Sequence, residues 1–160
     1  SLQSGAIDAT EWVGPWNDLA FGFYREAPYY YAPGFHEPGA SLTVGTNLDV
    51  WNSFSASDQA IIRHACRSAN DTSLGEYTHE NGLALSTLKT EHGISPRFFS
   101  DEILTHIGKT SLEVVRELGS ADAQTRKVFD SFETAMLNYR GWTEMSDGLY
   151  IKARQLAFGG

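Results

Sequence analysis

Strand-forming segments are few in this sequence and lie far apart along it. Alternating or β-prone residues predict short strands at about 9–13, 29–31, 41–46 and 94–99. So few strands, separated by such long connections, do not build a stable sheet by themselves. We therefore expect these strands to enter sheets that another segment mainly supplies.

Helices account for most of the remaining chain, and one of them is unusually long. An apolar stripe from Ile61 to Leu88, with Ser57 as the N-cap, predicts a helix over 57–92. At 1.5 Å per residue this helix would measure roughly 50 Å. Shorter helices are predicted at about 15–26, 48–53, 100–118, 122–139 and 143–157. The predicted fold class is therefore helix-rich α/β.

Composition limits the classes of partner. The 160 residues are 41% hydrophobic and 20% charged, which is ordinary for a globular protein. No run approaches the roughly 18 apolar residues of a membrane span. The net charge of −8 argues against a nucleic acid or an anionic membrane as partner. An anionic ligand would need a local source of positive charge. The single cysteine, Cys66, is predicted to be a buried small hydrophobe.

Two glutamates lie among aromatic residues near the start of the chain. Glu11 lies at the carboxyl end of the predicted strand over 9–13, and Glu37 lies on a loop rich in proline and glycine. Carboxylate oxygens suit a hard cation such as Na⁺ or Ca²⁺, with backbone carbonyls completing the shell. Such a cation would offer positive charge to an anionic ligand. Trp12, Trp16 and Phe35 would form the apolar wall of a small-ligand pocket.

These residues also admit other interpretations. Two glutamates 26 residues apart are often unrelated surface groups, and the four tryptophans could all be core. Glu11 and Glu37 could instead be the acid/base pair of a hydrolase, although no nucleophile or phosphate loop accompanies them. A third alternative is a helical interaction protein without a small ligand.

Two blocks of residues carry a resemblance to a known family. Residues 5–15 (Gly-Ala-Ile-Asp-Ala-Thr-Glu-Trp-Val-Gly-Pro) and 30–39 (Tyr-Tyr-Ala-Pro-Gly-Phe-His-Glu-Pro-Gly) resemble the DctP-like extracytoplasmic solute-binding subunits of tripartite ATP-independent periplasmic (TRAP) transporters. The chain is most similar to the branch that binds 2-oxo acids and lactate. Similarity continues through 51–53, 59–62 and 129–132 to 142–143.

The resemblance implies a fold, a location and a function. It places the chain in the C-terminal half of a two-lobed periplasmic-binding-protein-like fold, in which 57–92 is the long spanning helix. We expect 1–160 to be a single fragment, with ligand-site strands and loops in 1–56 and the long helix, a short strand and the C-terminal helices in 57–160. The implied function is transport, without enzymatic activity. A small organic acid is captured in the periplasm and delivered to the integral membrane subunits of the TRAP transporter.

The resemblance also implies roles for individual residues. The Glu11 carboxylate, the Trp12 backbone carbonyl and the Glu37 carboxylate would bind a Na⁺ or Ca²⁺ ion that bridges to the substrate carboxylate. The Trp12 side chain would contact substrate, with Phe35 as a second wall. The family's substrate-pairing arginine and another metal ligand belong to its N-terminal half and have no counterpart here. The C-terminal helices, 125–157, would exchange between subunits to form a homodimer.

Overall fold

The computed structural model describes residues 1–37, 39–40 and 42–159 and divides into two compact units, Ser1–Phe99 and Ser100–Gly160. The first unit contains α1 (Pro15–Phe21), a 3-10 turn (Phe23–Arg25), β1 (Tyr29–Ala32), α2 (Leu48–Ser53), α3 (Ala56–Thr90) and β2 (Ser95–Phe98). The second contains α4 (Asp101–Gly119), α5 (Ala123–Thr143), a π-helical turn (Glu144–Gly148) and α6 (Leu149–Phe158). The helix-rich α/β class is confirmed. The division of the ligand-site segments at residue 56 stays a prediction.

The long helix is present as α3, which has 35 residues and a length of about 52 Å. Its N-cap is Ser55, so the assignment of Ser57 is wrong. Ser55 and Asp58 form a capping box: the Asp58 N–H donates to Ser55 Oγ at 3.1 Å, and the Ser55 N–H donates to Asp58 Oδ2 at 3.3 Å. The chain turns after α3 at Gly93, whose φ of 66° is left-handed.

The two strands form a parallel pair. Tyr29 lies opposite Ser95, and Ala32 lies opposite Phe98. The strands predicted at 29–31 and 94–99 are thereby confirmed, whereas 9–13 and 42–46 form no strand, and Ser41 lies outside the described residues. A strand needs a neighbour for its backbone hydrogen bonds. In the part of the chain that the structure describes, β1 and β2 bond to each other, and neither of the two other segments has a strand beside it.

The buried core of each unit is small. In the first unit α1 packs on α3, and the buried apolar side chains are those of Ala84, Leu88 and Ile94. In the second unit Phe129 packs against Gly119, where an added Cβ would lie 2.6 Å from the Phe129 Cβ. Glycine at the end of α4 therefore permits the close approach of α5.

Most of the apolar surface remains uncovered. Large apolar side chains are exposed in both units, among them Leu42, Val44 and Phe98 in the first and Trp142, Leu156 and Phe158 in the second. Cys66 is exposed rather than buried, and no tryptophan of the four is fully buried. Among the described residues, no helix has the length and apolarity needed to cross a bilayer. The chain alone therefore buries little of its apolar surface.

Candidate functional site

Glu11 and Trp12 lie on an irregular segment that leads into α1. Both are exposed, and the Trp12 ring meets the Phe21 ring edge-to-face with 5.7 Å between centroids. Pro15 begins α1, where its missing N–H leaves no unsatisfied donor. The prediction that Glu11 ends a strand is therefore wrong for this structure. Glu11 lies instead on the irregular segment just before the turn at Gly14.

Glu37 lies on the loop that follows β1, and aromatic contacts hold that loop. Phe35 stacks on His36 with 4.0 Å between ring centroids and meets Phe99 edge-to-face at 5.6 Å. Phe99 in turn stacks on Tyr31 at 5.2 Å. These contacts anchor the loop to the carboxyl end of the strand pair. Glu37 itself is exposed.

A buried hydrogen bond joins the two segments that carry Glu11 and Glu37. The Tyr30 hydroxyl donates to Asp18 Oδ2 at 2.5 Å, and Asp18 is only 8% exposed. Asp18 lies on α1, just after Glu11, whereas Tyr30 lies on β1, just before Glu37. The bond therefore links α1, which follows Glu11, to β1, which precedes Glu37.

Burial and neighbouring groups shift the pKa values of both partners in this hydrogen bond. Burial raises the pKa of Asp18, and the negative charge of Glu11 raises it further, while the Tyr30 hydrogen bond opposes the shift. Burial and the Asp18 carboxylate likewise raise the pKa of Tyr30. The carboxylate of Glu11 is thus near enough to act on Asp18. The carboxylate oxygens of Glu11 and Glu37 are hard donors of the kind that Na⁺ and Ca²⁺ prefer.

Asp18 predicts a pH dependence of stability. Because its folded pKa lies above the unfolded value of about 3.9, its contribution to stability is fully present below pH 4 and is lost as pH rises through the folded pKa. Urea unfolding of the full-length protein should show wild type gaining stability relative to Asp18→Asn as pH falls from 7 to 4. A difference that is constant with pH, or that has the opposite slope, would contradict this.

Asp122 provides the matched control with the opposite sign. Backbone N–H groups of Thr125 and Gln124 donate to this exposed N-cap and lower its pKa. Its contribution to stability is present above the unfolded value of about 3.9 and is lost as pH falls through the lower folded pKa. Asp122→Asn should therefore differ from wild type by a constant amount between pH 7 and 5, and the difference should shrink below pH 4.

Other parts of the structure add little to the candidate site. The described residues contain no group of three or more His, Cys, Asp or Glu side chains that could hold a metal. Two shallow concave patches lie on the second unit, one on α5 around Ser131 and Asn138, the other on α4 around Thr105 and His106. Neither includes Glu11, Trp12, Phe35 or Glu37.

The sequence interpretation missed two residues. It placed Asp18 only within the predicted helix at about 15–26 and Tyr30 only within the predicted strand at 29–31. The alternation of a strand was the available signal, because it turns Tyr30 to the face opposite Tyr29 and Tyr31, and Tyr30 is half-buried between two exposed neighbours.

Comparison with known proteins identifies the family. The model of the bacterial extracellular solute-binding protein family 7 (DctP) matches residues 1–122. The chain belongs to this family. It is 35% identical, over 150 residues, to a monocarboxylate 2-oxoacid-binding periplasmic protein of Nostoc sp.; the match covers 94% of this chain and 41% of that protein.

Solved structures show the same fold. A TRAP periplasmic solute-binding protein from Pseudoalteromonas atlantica, with bound sodium and pyruvate, matches 94% of this chain with a TM-score of 0.86 and 34% identity. A TRAP solute-binding protein from Bordetella bronchiseptica matches 98% with a TM-score of 0.91 and 30% identity. That structure is a mixed-occupancy dimer with copurified calcium and picolinate in one active site and an apo second site. The chain spans 46% of each of these two proteins.

Proposed function

We propose that the full-length protein is the periplasmic solute-binding component of a TRAP transporter. It captures a small organic acid, such as a 2-oxo acid or lactate, and delivers it to the integral membrane subunits. The observation that carries this proposal is the link between the Glu11 and Glu37 segments through the Asp18–Tyr30 hydrogen bond. Family membership and the ligands of the two structural relatives support it.

In the proposed mechanism, a bound cation holds the substrate carboxylate at the Glu11 and Glu37 segments. The Glu11 carboxylate, the Trp12 backbone carbonyl and the Glu37 carboxylate would hold Na⁺ or Ca²⁺. The ion would supply the positive charge that an anionic substrate requires from a protein with a net charge of −8. Trp12 and Phe35 are 51% and 40% exposed, so both rings retain surface with which to contact the substrate.

Binding without catalysis fits the carboxyl groups better than hydrolysis does. A glycosidase-type acid needs a raised pKa next to the reacting bond. Burial raises the pKa of Asp18, but this carboxyl is bonded to Tyr30 and is therefore not free to act as that acid. The helical interaction alternative gives no account of the small organic ligands and cations bound by the two structural relatives.

A homodimer through the C-terminal helices is part of the proposal. Large apolar side chains on α5 and α6 are exposed, and such side chains are often covered at a protein interface. They include Val128, Phe132, Trp142, Leu149, Ile151 and Phe158. The dimer of the Bordetella bronchiseptica relative supports this assignment.

Calorimetry of the full-length protein tests the proposed function. Pyruvate, lactate and longer 2-oxo acids are titrated with Na⁺, with Ca²⁺, and after removal of both cations. We expect at least one acid to bind, with affinity falling at least about tenfold without the cation, because an uncompensated acidic site repels the carboxylate. Pyruvamide, which lacks the carboxylate, is the control and should not bind. Failure of every acid to bind, or equal affinity with and without cations, would contradict the proposal.

A further inference from the structure

We propose that Asn81, on α3, is a positioning residue for the cation site, although it lies 65 residues beyond the segment it positions. The inference rests on the proposed function. Asn81 holds the start of α1, and through it the backbone of Glu11 and Trp12. It acts through α1 and is not itself a ligand of the ion or the substrate.

The first step is the hydrogen bond at the start of α1. The Trp16 N–H donates to Asn81 Oδ1 at 3.0 Å. This N–H is among those at a helix start that have no partner within the helix. A side chain at the N-cap position usually accepts from such a group, but the N-cap of α1 is Gly14, which has no side chain. Asn81 therefore supplies from α3 the acceptor that the local sequence lacks.

Two further contacts hold the same turn against α3. A Cβ added at Gly14 would lie 3.1 Å from Asn81 Oδ1 and 3.6 Å from Asn81 Cγ, so the Gly14 backbone lies directly against the amide. One helical turn earlier on α3, the Tyr77 ring meets the Trp16 ring edge-to-face at 5.0 Å between centroids. One face of α3 thus holds both the backbone and a side chain of this turn.

The position of this turn affects the nearby residues Glu11 and Trp12. Trp12 is two residues from Gly14, a separation of at most about 8 Å along the chain. Outside a regular strand or helix, the direction of the Trp12 carbonyl depends on where this turn is held. Loss of the Asn81 acceptor should loosen the turn and reduce cation affinity first, because cation binding depends on the position of a backbone carbonyl.

The test is sodium-linked pyruvate binding by the full-length protein, with Asn81→Ala compared with wild type. We expect the Na⁺ concentration that gives half of the maximal gain in pyruvate affinity to rise about fivefold to tenfold, the effect of one lost hydrogen bond. Saturating Na⁺ should restore most of the pyruvate affinity. Asn81→Asp retains the acceptor and should bring the half-maximal Na⁺ concentration back close to wild type.

Controls separate positioning from a general loss of structure. Asn70→Ala makes the same substitution at an exposed site on α3 and should leave the half-maximal Na⁺ concentration unchanged. Asn81→Leu keeps the side-chain volume and replaces Asn81→Ala if the latter does not fold. An unchanged Na⁺ requirement in the Ala or Leu variant, or an Asp variant as defective as Ala, would overturn the proposal. Glu11→Gln tests the proposed function separately: if it retains Na⁺-linked binding, the proposed cation site is wrong, whatever Asn81 does.

Discussion

Replacement of Glu11 by glutamine is expected to weaken cation-dependent pyruvate binding to the full-length protein by at least about tenfold. Glutamine keeps the size of the side chain and one carbonyl oxygen but loses the negative charge that binds a hard cation. Mutation of a residue that only supports a metal ligand typically lowers metal affinity about tenfold to a hundredfold. Loss of the charge of a ligand itself should lower the affinity by at least as much. The measurement is calorimetric titration with pyruvate at fixed Na⁺.

The matched control is Glu91→Gln, the same change at an exposed residue just after α3. It should bind pyruvate as wild type does. If Glu11→Gln showed wild-type affinity and wild-type dependence on Na⁺, Glu11 would not be a cation ligand, and the proposed capture mechanism would fail.

Replacement of Leu88 by alanine is expected to lower the free energy of unfolding by about 2–5 kcal/mol. Leu88 is 1% exposed and is the most deeply buried large side chain in the described part of the chain. Its truncation removes apolar contacts and leaves a cavity in the core of the first unit. Urea unfolding of the full-length protein measures the loss.

A volume-conserving change at the same site distinguishes packing from other causes. Leu88→Met keeps most of the apolar volume and should cost less than about 1.5 kcal/mol. Two outcomes would show that packing of Leu88 does not stabilise the first unit as expected. They are equal losses of unfolding free energy in the two variants, or a loss below about 1 kcal/mol in Leu88→Ala.

Helices were predictable from the sequence because their determinants are local. The helix predicted at 48–53 is present as α2, and Asn47 is its N-cap: Asn47 Oδ1 accepts from the Asp49 N–H at 2.9 Å. The helix ends were less predictable. The helix predicted to end at about residue 139 continues as α5 to Thr143, and the Arg140–Glu144 ion pair at 3.0 Å spans Gly141. A glycine within a helix costs only about 1 kcal/mol, which neighbouring residues can offset.

Strands and the supporting contacts of the site were less predictable because they depend on distant partners. The segment over 9–13 has strand-like residues but no strand beside it in the described structure. Asn81 is one polar residue among many on α3, and only the packing of α1 reveals its contact with Trp16. The residue pattern nominated Glu11, Trp12, Phe35 and Glu37, and the family resemblance gave each a role. Those roles as ligand or substrate contacts stay predictions.

The central claim is that Glu11, the Trp12 carbonyl and Glu37 bind one cation that bridges to the substrate carboxylate. A crystal structure of the full-length protein with Ca²⁺ and pyruvate, with the ion located by anomalous scattering, tests it most directly. We expect the anomalous peak about 2.3–2.6 Å from oxygens of all three residues and from a pyruvate carboxylate oxygen. A peak elsewhere, or pyruvate bound with no cation between it and the two glutamates, would contradict the claim.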